Sequence, residues 1–554
     1  MPAPDDLEGR VFDLLVVGGG INGAAIARDA ALRGLSVCLV ERHDWGWGTS
    51  AKSSKLAHGG LRYLELMEFG LVHEALQDRE RFLRDAPHLV RPLRFVYPIY
   101  PHVAARRAVR AGLLLYDVLS HGKSVPGRKY YGRAATHALA PGLATEGLAG
   151  GATFYDAQIQ HVERLVVEMV WDARRNGAVC LSHTPVVRLV QEGPPEGRRA
   201  TGAVVLTLAG EATVRAAAVV NATGVWVDET LGALGQGKPP KVRKTKGAHV
   251  VVPRFTDDAL IVKAASDGRT FFILPWQRYC VIGTTDTDYA GDAGDAAADA
   301  DDVAYLLDEA ARYFPNAPLD NVEYTYAGVR ALVNEEGITE SNVTRRHIVY
   351  DHAKRDGVAG LWSLQGGKIT TARTLAEETV DRVCRHLGRP DLAKRHPTRD
   401  TAYPGGPSTP WPEFRAEAVA AAQGQGLDAE SAAHLVDTYG ARWTAVLDCE
   451  ARPAGRQRIP AGHGALFCEV TYAVRQEDAV ALADTMLRRT TLGLAADGNP
   501  TATDAVLAWM ADLLRWDDGA QAMQREAYAR EVRAFGIPTV PVGVVRRPSA
   551  GRKA

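Results

Sequence analysis

The 554-residue sequence has little of what marks exported, membrane-spanning or nucleic-acid-binding proteins. Its six cysteines are far apart and form no C-x-x-C pair, so neither a disulfide framework nor a zinc knuckle is expected. No apolar run approaches the roughly 18 to 20 residues that a spanning helix requires. The acidic start, with Asp5, Asp6 and Glu8, is unlike a secretory signal. A formal net charge of −1 provides no basic surface for nucleic acid. We therefore expect a cytoplasmic protein that meets a membrane only at its surface.

What is present is a βαβ pattern near the start of the chain. Phe12–Val17 and Leu35–Val40 are short apolar runs of the kind that is buried on both faces of a sheet, and Ile21–Arg33 has helical spacing. The intervening segment is too long for a hairpin, so the two strands are predicted to be parallel, with a right-handed crossover. The length of the whole chain predicts three or four domain-sized pieces.

A G-x-G-x-x-G turn lies between the first strand and the helix. Gly18 permits a tight turn, Gly20 lets the backbone approach a pyrophosphate, and Gly23 allows close packing of the helix on the strand. Ile21 and Asn22 open the helix, whose unpaired N–H groups favour an anion. Glu41, at the end of the second strand, is placed to accept hydrogen bonds from ribose hydroxyls. The motif predicts a dinucleotide site but does not distinguish NAD from FAD.

Two later glycine-containing segments favour a flavin. Val219–Gly224 reads as a strand that ends in a turn of small residues beside the first loop. Leu361–Lys368 leads into a helix, so Gly366 and Gly367 would expose backbone N–H groups at its start. A helix start suits the edge of a flavin ring that becomes negative on reduction. A glycine-capped turn without a ligand is the alternative for each segment.

Several longer segments resemble the FAD-dependent glycerol-3-phosphate dehydrogenase family. The signature-like run is TSAKSSKLAHGGLRYL, residues 49–64, and KGAH (246–249), GTTD (283–286), AGVR (327–330) and GGKITT (366–371) follow in the family's order. Residues 469–489 resemble its helical C-terminal cap. The resemblance covers roughly residues 10 to 535.

The resemblance implies an α/β fold related to glycine oxidase and D-amino-acid oxidase. A Rossmann-like FAD-binding domain would carry an inserted antiparallel-sheet substrate domain, followed by a C-terminal helical domain. The expected divisions are FAD-binding parts at 10–90, 161–245 and 351–398; a connecting, membrane-surface candidate at 91–160; the substrate sheet at 246–350, with pieces of 91–160; a linker at 399–412; a helical domain at 413–538; and a flexible tail at 539–554.

The resemblance also implies a set of site residues. Cofactor contacts are expected from Gly18, Gly20, Ile21, Asn22, Gly23, Glu41, Thr49, Ser50, Ser54, Leu56, His58, Gly224, Gly366, Gly367, Lys368, Ile369 and Thr370. Substrate contacts are expected from Arg62, Tyr63, Asp286, Arg330, Arg345 and Lys368. The chemistry of the reaction, rather than the resemblance, makes His58, His249, Arg330 and Lys368 the candidates for catalytic roles.

The implied chemistry is oxidation of glycerol 3-phosphate to dihydroxyacetone phosphate by hydride transfer to FAD. A phosphoryl group with about −1.5 to −2 charges needs fixed cations, and arginine offers bidentate contacts. The C2 hydroxyl needs a proton acceptor, for which His58 and His249 are the candidates, while Lys368 would stabilise an anion. Asp286 begins a run that resembles a calcium loop but lacks the later carboxylates, so no metal site is expected.

The electron acceptor and the membrane contact stay open at this point. His102–Ser120 joins three arginines to apolar residues and fits either a helix on the inner face of the cell membrane or a core helix with a charged exposed face. By resemblance we expect peripheral attachment and a quinone acceptor. The alternatives are an oxidase that reduces oxygen to hydrogen peroxide, a related amine or amino-acid oxidase, and a flavin-binding protein without turnover. Both a monomer and a homodimer are compatible with the sequence.

Overall fold

The computed structural model describes residues 7, 9–64, 66–100, 106–194, 197–207, 209–233, 242–333 and 347–538. Strands are β1 (Val11–Phe12), β2 (Leu14–Val17), β3 (Val37–Val40), β4 (Leu56–Ala57), β5 (Val90–Ile99), β6 (Lys129–Tyr131), β7 (Gly150–Ile159), β8 (Val179–Leu181), β9 (Val186–Glu192), β10 (Arg198–Thr207), β11 (Gly210–Ala216), β12 (Val219–Asn221), β13 (Val242–Pro253), β14 (Ala259–Lys263), β15 (Thr270–Trp276), β16 (Tyr279–Gly283), β17 (Thr287–Asp288), β18 (Tyr324–Val333), β19 (Ile348–Asp351), β20 (Val358–Ala359) and β21 (Leu361–Gln365).

Helices are α1 (Ile21–Leu32), α2 (Phe69–Asp85), α3 (Arg106–Leu119), α4 (Arg133–Leu139), α5 (Val162–Arg175), α6 (Val227–Ala233), α7 (Ala300–Tyr313), α8 (His352–Asp356), α9 (Ala372–His386), α10 (Trp411–Gly424), α11 (Ala429–Tyr439), α12 (Trp443–Asp448), α13 (Phe467–Gln476), α14 (Pro500–Leu514) and α15 (Asp518–Val532). Shorter turns of helix include Leu61–Leu64, Arg533–Phe535 and the π-helical Asp484–Arg489.

The dinucleotide-type sheet has the strand order β19-β21-β12-β2-β3-β8. All of its neighbouring pairs are parallel except β19–β21, and every residue of β2 and β3 is buried, as the apolar runs predict. Helices α1, α5 and α9 pack on it through one apolar core. The first predicted strand is divided, because β1 leaves this sheet and pairs with β11 in a separate five-stranded one.

A ten-stranded sheet packs across the dinucleotide-type sheet's ligand edge. Its main path is β17-β13-β16-β15-β14-β5-β7-β4, with β18 paired to β13 and β6 paired to β7. The segment 91–160, expected to be largely a connection, thus contributes three strands. Conversely β19, expected within the substrate sheet, pairs with β21 in the dinucleotide-type sheet. The inserted antiparallel sheet of the expected fold is present.

The segment expected to be a linker, 399–412, is packed rather than extended. The Arg28 guanidinium donates to the Thr401 and Ala402 carbonyls at 2.9 and 3.1 Å and lies 4.4 Å from the centre of the Tyr403 ring, which is buried. Burial of a cation here is balanced by the Asp172 carboxylate at 2.7 Å. The helices that follow are therefore joined tightly to the cofactor domain.

Buried ion pairs fix the C-terminal helical domain to the loop after β3. Asp44 is fully buried; Arg489 donates to its two carboxylate oxygens at 2.6 and 2.8 Å, and Arg488 donates at 2.7 Å. Asp484 pairs with Arg488 in turn. Because an unpaired buried charge is costly, this cluster holds the loop and the domain together. Within the described ranges no helix has the length and apolarity needed to cross a membrane. The predicted tail, 539–554, lies outside the described residues.

Candidate FAD and substrate site

A cavity of about 640 Å³ lies at the carboxyl ends of β2, β3 and β12, where open α/β sheets bind ligands. The ten-stranded sheet covers it. All the residues expected to contact the cofactor line this cavity except Gly23, and so do Tyr63, His249, Asp286 and Arg330 from the substrate and catalytic sets. The Arg62 side chain and Arg345 lie outside the described residues. Segments 300 residues apart therefore converge on one volume, as the resemblance implies.

Close contacts explain why the G-x-G-x-x-G motif has glycine at its fixed positions. Gly18 has φ +108°, and a Cβ there would meet the Ala222 carbonyl oxygen at 2.8 Å. A Cβ on Gly23 would lie 1.8 Å from the Gly18 carbonyl oxygen, so Gly23 serves the strand–helix packing rather than the cavity wall. At Gly20 the nearest atom to such a Cβ is Ser50 Oγ, at 3.3 Å. The cradle is open to a pyrophosphate only because these side chains are absent.

Polar groups for the nucleotide surround that cradle. Glu41 lines the cavity while its carboxylate accepts the Gly19 and His43 N–H groups at 2.6 and 2.8 Å; burial nevertheless raises its pKa. Ser50 Oγ accepts the Ile21 N–H at 3.0 Å and so ties residues 49–56 to the start of α1. Asn22 Oδ1, also at the cavity, is buried without a hydrogen-bond partner among the described residues. The carboxylate of Glu41 and the amide oxygen of Asn22 can accept hydrogen bonds from the hydroxyl groups of a dinucleotide.

The GGKITT segment forms the opposite wall. Gly366 and Gly367 have φ of +70° and +93°, which residues with a side chain rarely adopt. They lie upstream of α9, which begins at Ala372 with Thr371 as its N-cap, and not at the helix start that was expected. Thr370 Oγ1 accepts the His58 N–H at 3.0 Å and links this segment to the family-like run 49–64. The Lys368 ammonium lies 3.7 Å from the centre of the Tyr63 ring. The Tyr63 ring therefore holds the Lys368 ammonium at the wall of the cavity.

A cluster of cations occupies the end of the cavity below β13 and β18. Arg330 donates to Asp286 Oδ1 at 2.9 Å and to Thr284 Oγ1 at 3.0 Å, which fixes the guanidinium. Arg269 donates to the Asp286 carbonyl at 2.8 Å and also lines the cavity. Sequence reasoning missed Arg269, because it lies in the turn between β14 and β15 and no motif marks it. The two guanidinium groups can receive a multiply charged anion. Lys368 lines the same cavity, beside Tyr63.

The two candidate proton acceptors, His58 and His249, differ in the contacts of their ring nitrogen atoms. Burial lowers the pKa of His58 to about 4, and its ring lines the cavity with no hydrogen bond to it from the described residues. Burial, helped by Arg330, also lowers the pKa of His249 far below its usual value. His249 Nε2 bonds Ser54 Oγ at 2.9 Å, its Nδ1 is buried, and its ring stacks on Tyr326. His58 is therefore the ring with nitrogen atoms available at neutral pH.

Fold and cavity together define a class: a flavoprotein oxidoreductase in which a second sheet covers the cofactor site and a helical domain follows. Consistent with this, residues 13–382 match the family model described as FAD dependent oxidoreductase. Residues 396–521 match the C-terminal domain of alpha-glycerophosphate oxidase. The second match coincides with α10–α14, the helices that follow the packed segment 399–412.

Named relatives indicate which family of flavoprotein oxidoreductases this chain resembles. The chain is 37% identical to a glycerol-3-phosphate dehydrogenase of Synechocystis sp., over 96% of this chain and 98% of that one. It is 40% identical to that of Mycobacterium leprae, over 86% of this chain and 80% of the relative. The solved glycerol-3-phosphate dehydrogenase of Bacillus halodurans, complexed with FAD, superposes with a TM-score of 0.76 at 27% identity, covering 97% of each chain. The chain belongs to the FAD-dependent glycerol-3-phosphate dehydrogenase family.

Gly23→Ala should abolish FAD binding, since the added methyl cannot share space with the Gly18 carbonyl and the turn must open. Flavin content, measured as absorbance near 450 nm relative to 280 nm, is expected to fall to near zero. Gly70→Ala, at a helical glycine with open space around it, is the matched control and should keep its flavin. A yellow Gly23→Ala protein would show that the turn does not depend on this contact.

Proposed function

We propose that this protein oxidises sn-glycerol 3-phosphate at C2 to dihydroxyacetone phosphate and passes the electrons to a quinone. The observation that carries the proposal is the cluster of Arg330, Arg269 and Lys368 in the same cavity as the glycine cradle and an available histidine. The family's curated names agree with a phosphorylated alcohol as substrate. No contact among the described residues of the site favours an oxidase over a dehydrogenase. An uncharged amine substrate would not require the three cations that line the cavity.

Bound FAD supplies the hydride acceptor. The residues that would hold it are the cradle Gly18–Gly23, Glu41, the run 49–56 and the GGKITT segment. Arg330 and Arg269 would grip the phosphoryl group, and Asp286 keeps Arg330 oriented through its ion pair. Fixing the phosphate positions the C2 carbon, because the rest of the substrate is only three carbons long. Orientation of this kind contributes to rate as well as to binding.

His58 is proposed to take the C2 hydroxyl proton. Its pKa of about 4 means that the ring is neutral, and therefore a proton acceptor, throughout the physiological range. A bound phosphate dianion would raise that pKa and strengthen the base. The nearby Lys368 ammonium favours negative charge developing on the substrate oxygen. His249 is proposed to position Ser54 and the sheet above the cofactor rather than to move a proton.

A membrane contact is proposed on the exposed stripe of α3. Val109, Leu113 and Tyr116 face the core, and the Tyr116 hydroxyl donates to Asp156 at 2.7 Å. On the other side, Leu114 is 49% exposed and Val118 63% exposed, in line with the exposed Arg107 and Arg110. Apolar residues flanked by arginines suit the headgroup region of an anionic bilayer, where a membrane quinone would be collected.

Arg330→Ala should raise the KM for glycerol 3-phosphate about 10- to 100-fold, the effect of losing a charge-assisted contact to the phosphoryl group. Steady-state kinetics with a dye acceptor would measure it. Arg243→Ala is the control, because Arg243 lies on the same sheet but pairs with Asp288 away from the cavity. An unchanged KM in the Arg330 variant would remove this residue from the substrate site.

The rate of flavin bleaching by saturating glycerol 3-phosphate should be level between about pH 6 and 8 and fall at lower pH. The neutral imidazole of His58 is the active form, and it is lost as pH falls through its pKa, which is about 4 before substrate binds. His58→Gln should slow bleaching about 10²- to 10⁴-fold and abolish the acidic limb. Stopped-flow absorbance provides both values. An identical acidic limb in His58→Gln would rule this histidine out.

The double variant Leu114→Gln/Val118→Gln should lose co-sedimentation with vesicles rich in anionic lipid, since it removes the apolar part of the stripe while leaving its arginines. Leu206→Gln, at a 46%-exposed leucine on β10, is the control for loss of an exposed apolar side chain. Equal vesicle binding by all three proteins would contradict a role for α3.

A further inference from the structure

A buried carboxylate lies beside the proposed proton acceptor, His58. It belongs to Asp156, on β7, and lines the same cavity as His58. Strands β4 and β7 are antiparallel, with Ala57 opposite Ala157, so the next pair in this register is His58 and Asp156. Opposite residues of an antiparallel pair lie on the same face of a sheet, with Cβ atoms about 4.5–5.5 Å apart. The strand pairing therefore brings the carboxylate to the imidazole.

Three donors fix the Asp156 carboxylate. Arg79, on α2, donates to Oδ1 at 2.9 Å, and the hydroxyl of Tyr116, on α3, donates to Oδ2 at 2.7 Å. The backbone N–H of Gly59 also donates to Oδ1, at 3.4 Å. A Cβ on Gly59 would come within 2.6 Å of the Tyr116 hydroxyl oxygen, so the chain next to His58 packs directly against this group. The positions of the carboxylate and of residues 58–59 are thus set together.

The charge of Asp156 is not needed to neutralise Arg79. The Arg79 guanidinium also pairs with the Glu80 carboxylate at 2.6 Å, and it donates to Ser120 Oγ at 2.8 Å. Burial, together with the charge of Asp156, raises the pKa of Tyr116 well above its usual value, so this hydroxyl stays a neutral donor. The charges of Arg79 and Glu80 cancel, which leaves one negative charge, that of Asp156, facing the cavity.

His58 therefore has charges of both signs around it. Burial lowers its pKa, the Lys368 ammonium acts in the same direction, and the Asp156 carboxylate acts in the opposite direction. Phe272, on β15, presents only an uncharged ring, with its centre 6.2 Å from that of the imidazole. When the substrate hydroxyl loses its proton, an O–H bond breaks, an N–H bond forms on His58, and the C2–H electron pair leaves as hydride to the flavin. The ring becomes a buried cation, which a neighbouring carboxylate stabilises.

We propose that Asp156 is a positioning residue for His58. It orients residues 58–59 at the cavity through the strand pairing and the Gly59 N–H, and its charge stabilises the imidazolium ion that forms when His58 accepts the hydroxyl proton. The kinetic consequence rests on the proposed function, in which His58 is the proton acceptor. The influence of Asp156 on the protonation of His58 in the resting holoenzyme does not.

Asp156→Asn should slow bleaching of the flavin by saturating glycerol 3-phosphate about 10- to 100-fold, with little change in the substrate concentration that gives half the maximal rate. The acidic limb of the rate should move to lower pH, because the pKa of His58 falls further once the carboxylate is gone. Stopped-flow absorbance provides both values. Asp156→Glu, which restores the charge, should recover part of the rate and return the acidic limb towards its original position.

Two further variants separate this role from a purely structural one. Asp258→Asn removes a buried carboxylate that pairs with Arg94 in the same ten-stranded sheet but lies outside the cavity lining, and it should bleach at the unaltered rate. The double variant Arg79→Met/Asp156→Asn removes both members of the buried pair, so it leaves no uncompensated guanidinium, and it should be as slow as Asp156→Asn. Flavin content equal to that of the unaltered protein identifies the variants that fold.

A titration without substrate tests the proposal independently of the reaction. The holoenzyme is labelled isotopically at histidine for NMR, and the His58 signal is assigned from its absence in His58→Gln. The pKa of His58 should be lower in Asp156→Asn than in the unaltered protein. Equal pKa values in the two proteins, or an unaltered bleaching rate in Asp156→Asn or in the double variant, would overturn the proposal. Failure of glycerol 3-phosphate to bleach the unaltered protein, with the pKa difference present, would overturn the proposed substrate and leave the link between Asp156 and His58 standing.

Discussion

The contact between Gly18 and Gly23 is the constraint on which the rest of the structure depends. With only 1.8 Å between the Gly18 oxygen and the place of a Gly23 Cβ, α1 can start directly against the end of β2. That closeness aims the first N–H groups of α1 at the cavity and brings Ile21 within reach of Ser50. Ser50 in turn anchors the run that carries Ser54 and His58. The turn at Gly18 thus determines where α1 and the run 49–58 lie at the cavity.

The parts that depend on short-range pattern could be predicted from the sequence. The βαβ unit is confirmed in the parallel pairing of β2 and β3, and the fold class, the FAD cofactor and the family agree with the comparisons. Local glycine chemistry explains this success, because glycine permits the positive φ that Gly18, Gly366 and Gly367 adopt, and the motifs are recognised by their glycines. The roles given to individual site residues stay predictions, although nearly all the described ones line a single cavity.

Features that depend on contacts between residues far apart in the chain could not be predicted from the sequence. Arg269 lies in a turn that no sequence motif marks. Its guanidinium donates to the carbonyl of Asp286, which lies in a different connection between strands, and this contact holds it at the cavity. The Pro/Gly-rich segment 399–412 suggested a linker, yet Arg28 and the burial of Tyr403 hold it to the cofactor domain. The surroundings of His249 are a third example: its Nε2 bonds Ser54 Oγ and its Nδ1 is buried, and neither contact can be predicted from the KGAH segment alone. In each case contacts with residues far away in the sequence, rather than local propensity, determine the surroundings of the residue.

The Asp44 cluster has a consequence for dividing the chain. Asp44 stands three residues beyond Glu41, and its countercharges Arg488 and Arg489 come from the far end of the sequence. A polypeptide truncated before the helical domain would lack both countercharges of Asp44, which follows the strand β3 at the edge of the cavity. During synthesis the loop after β3 would therefore gain its ion pairs only after the segment Asp484–Arg489 has been made.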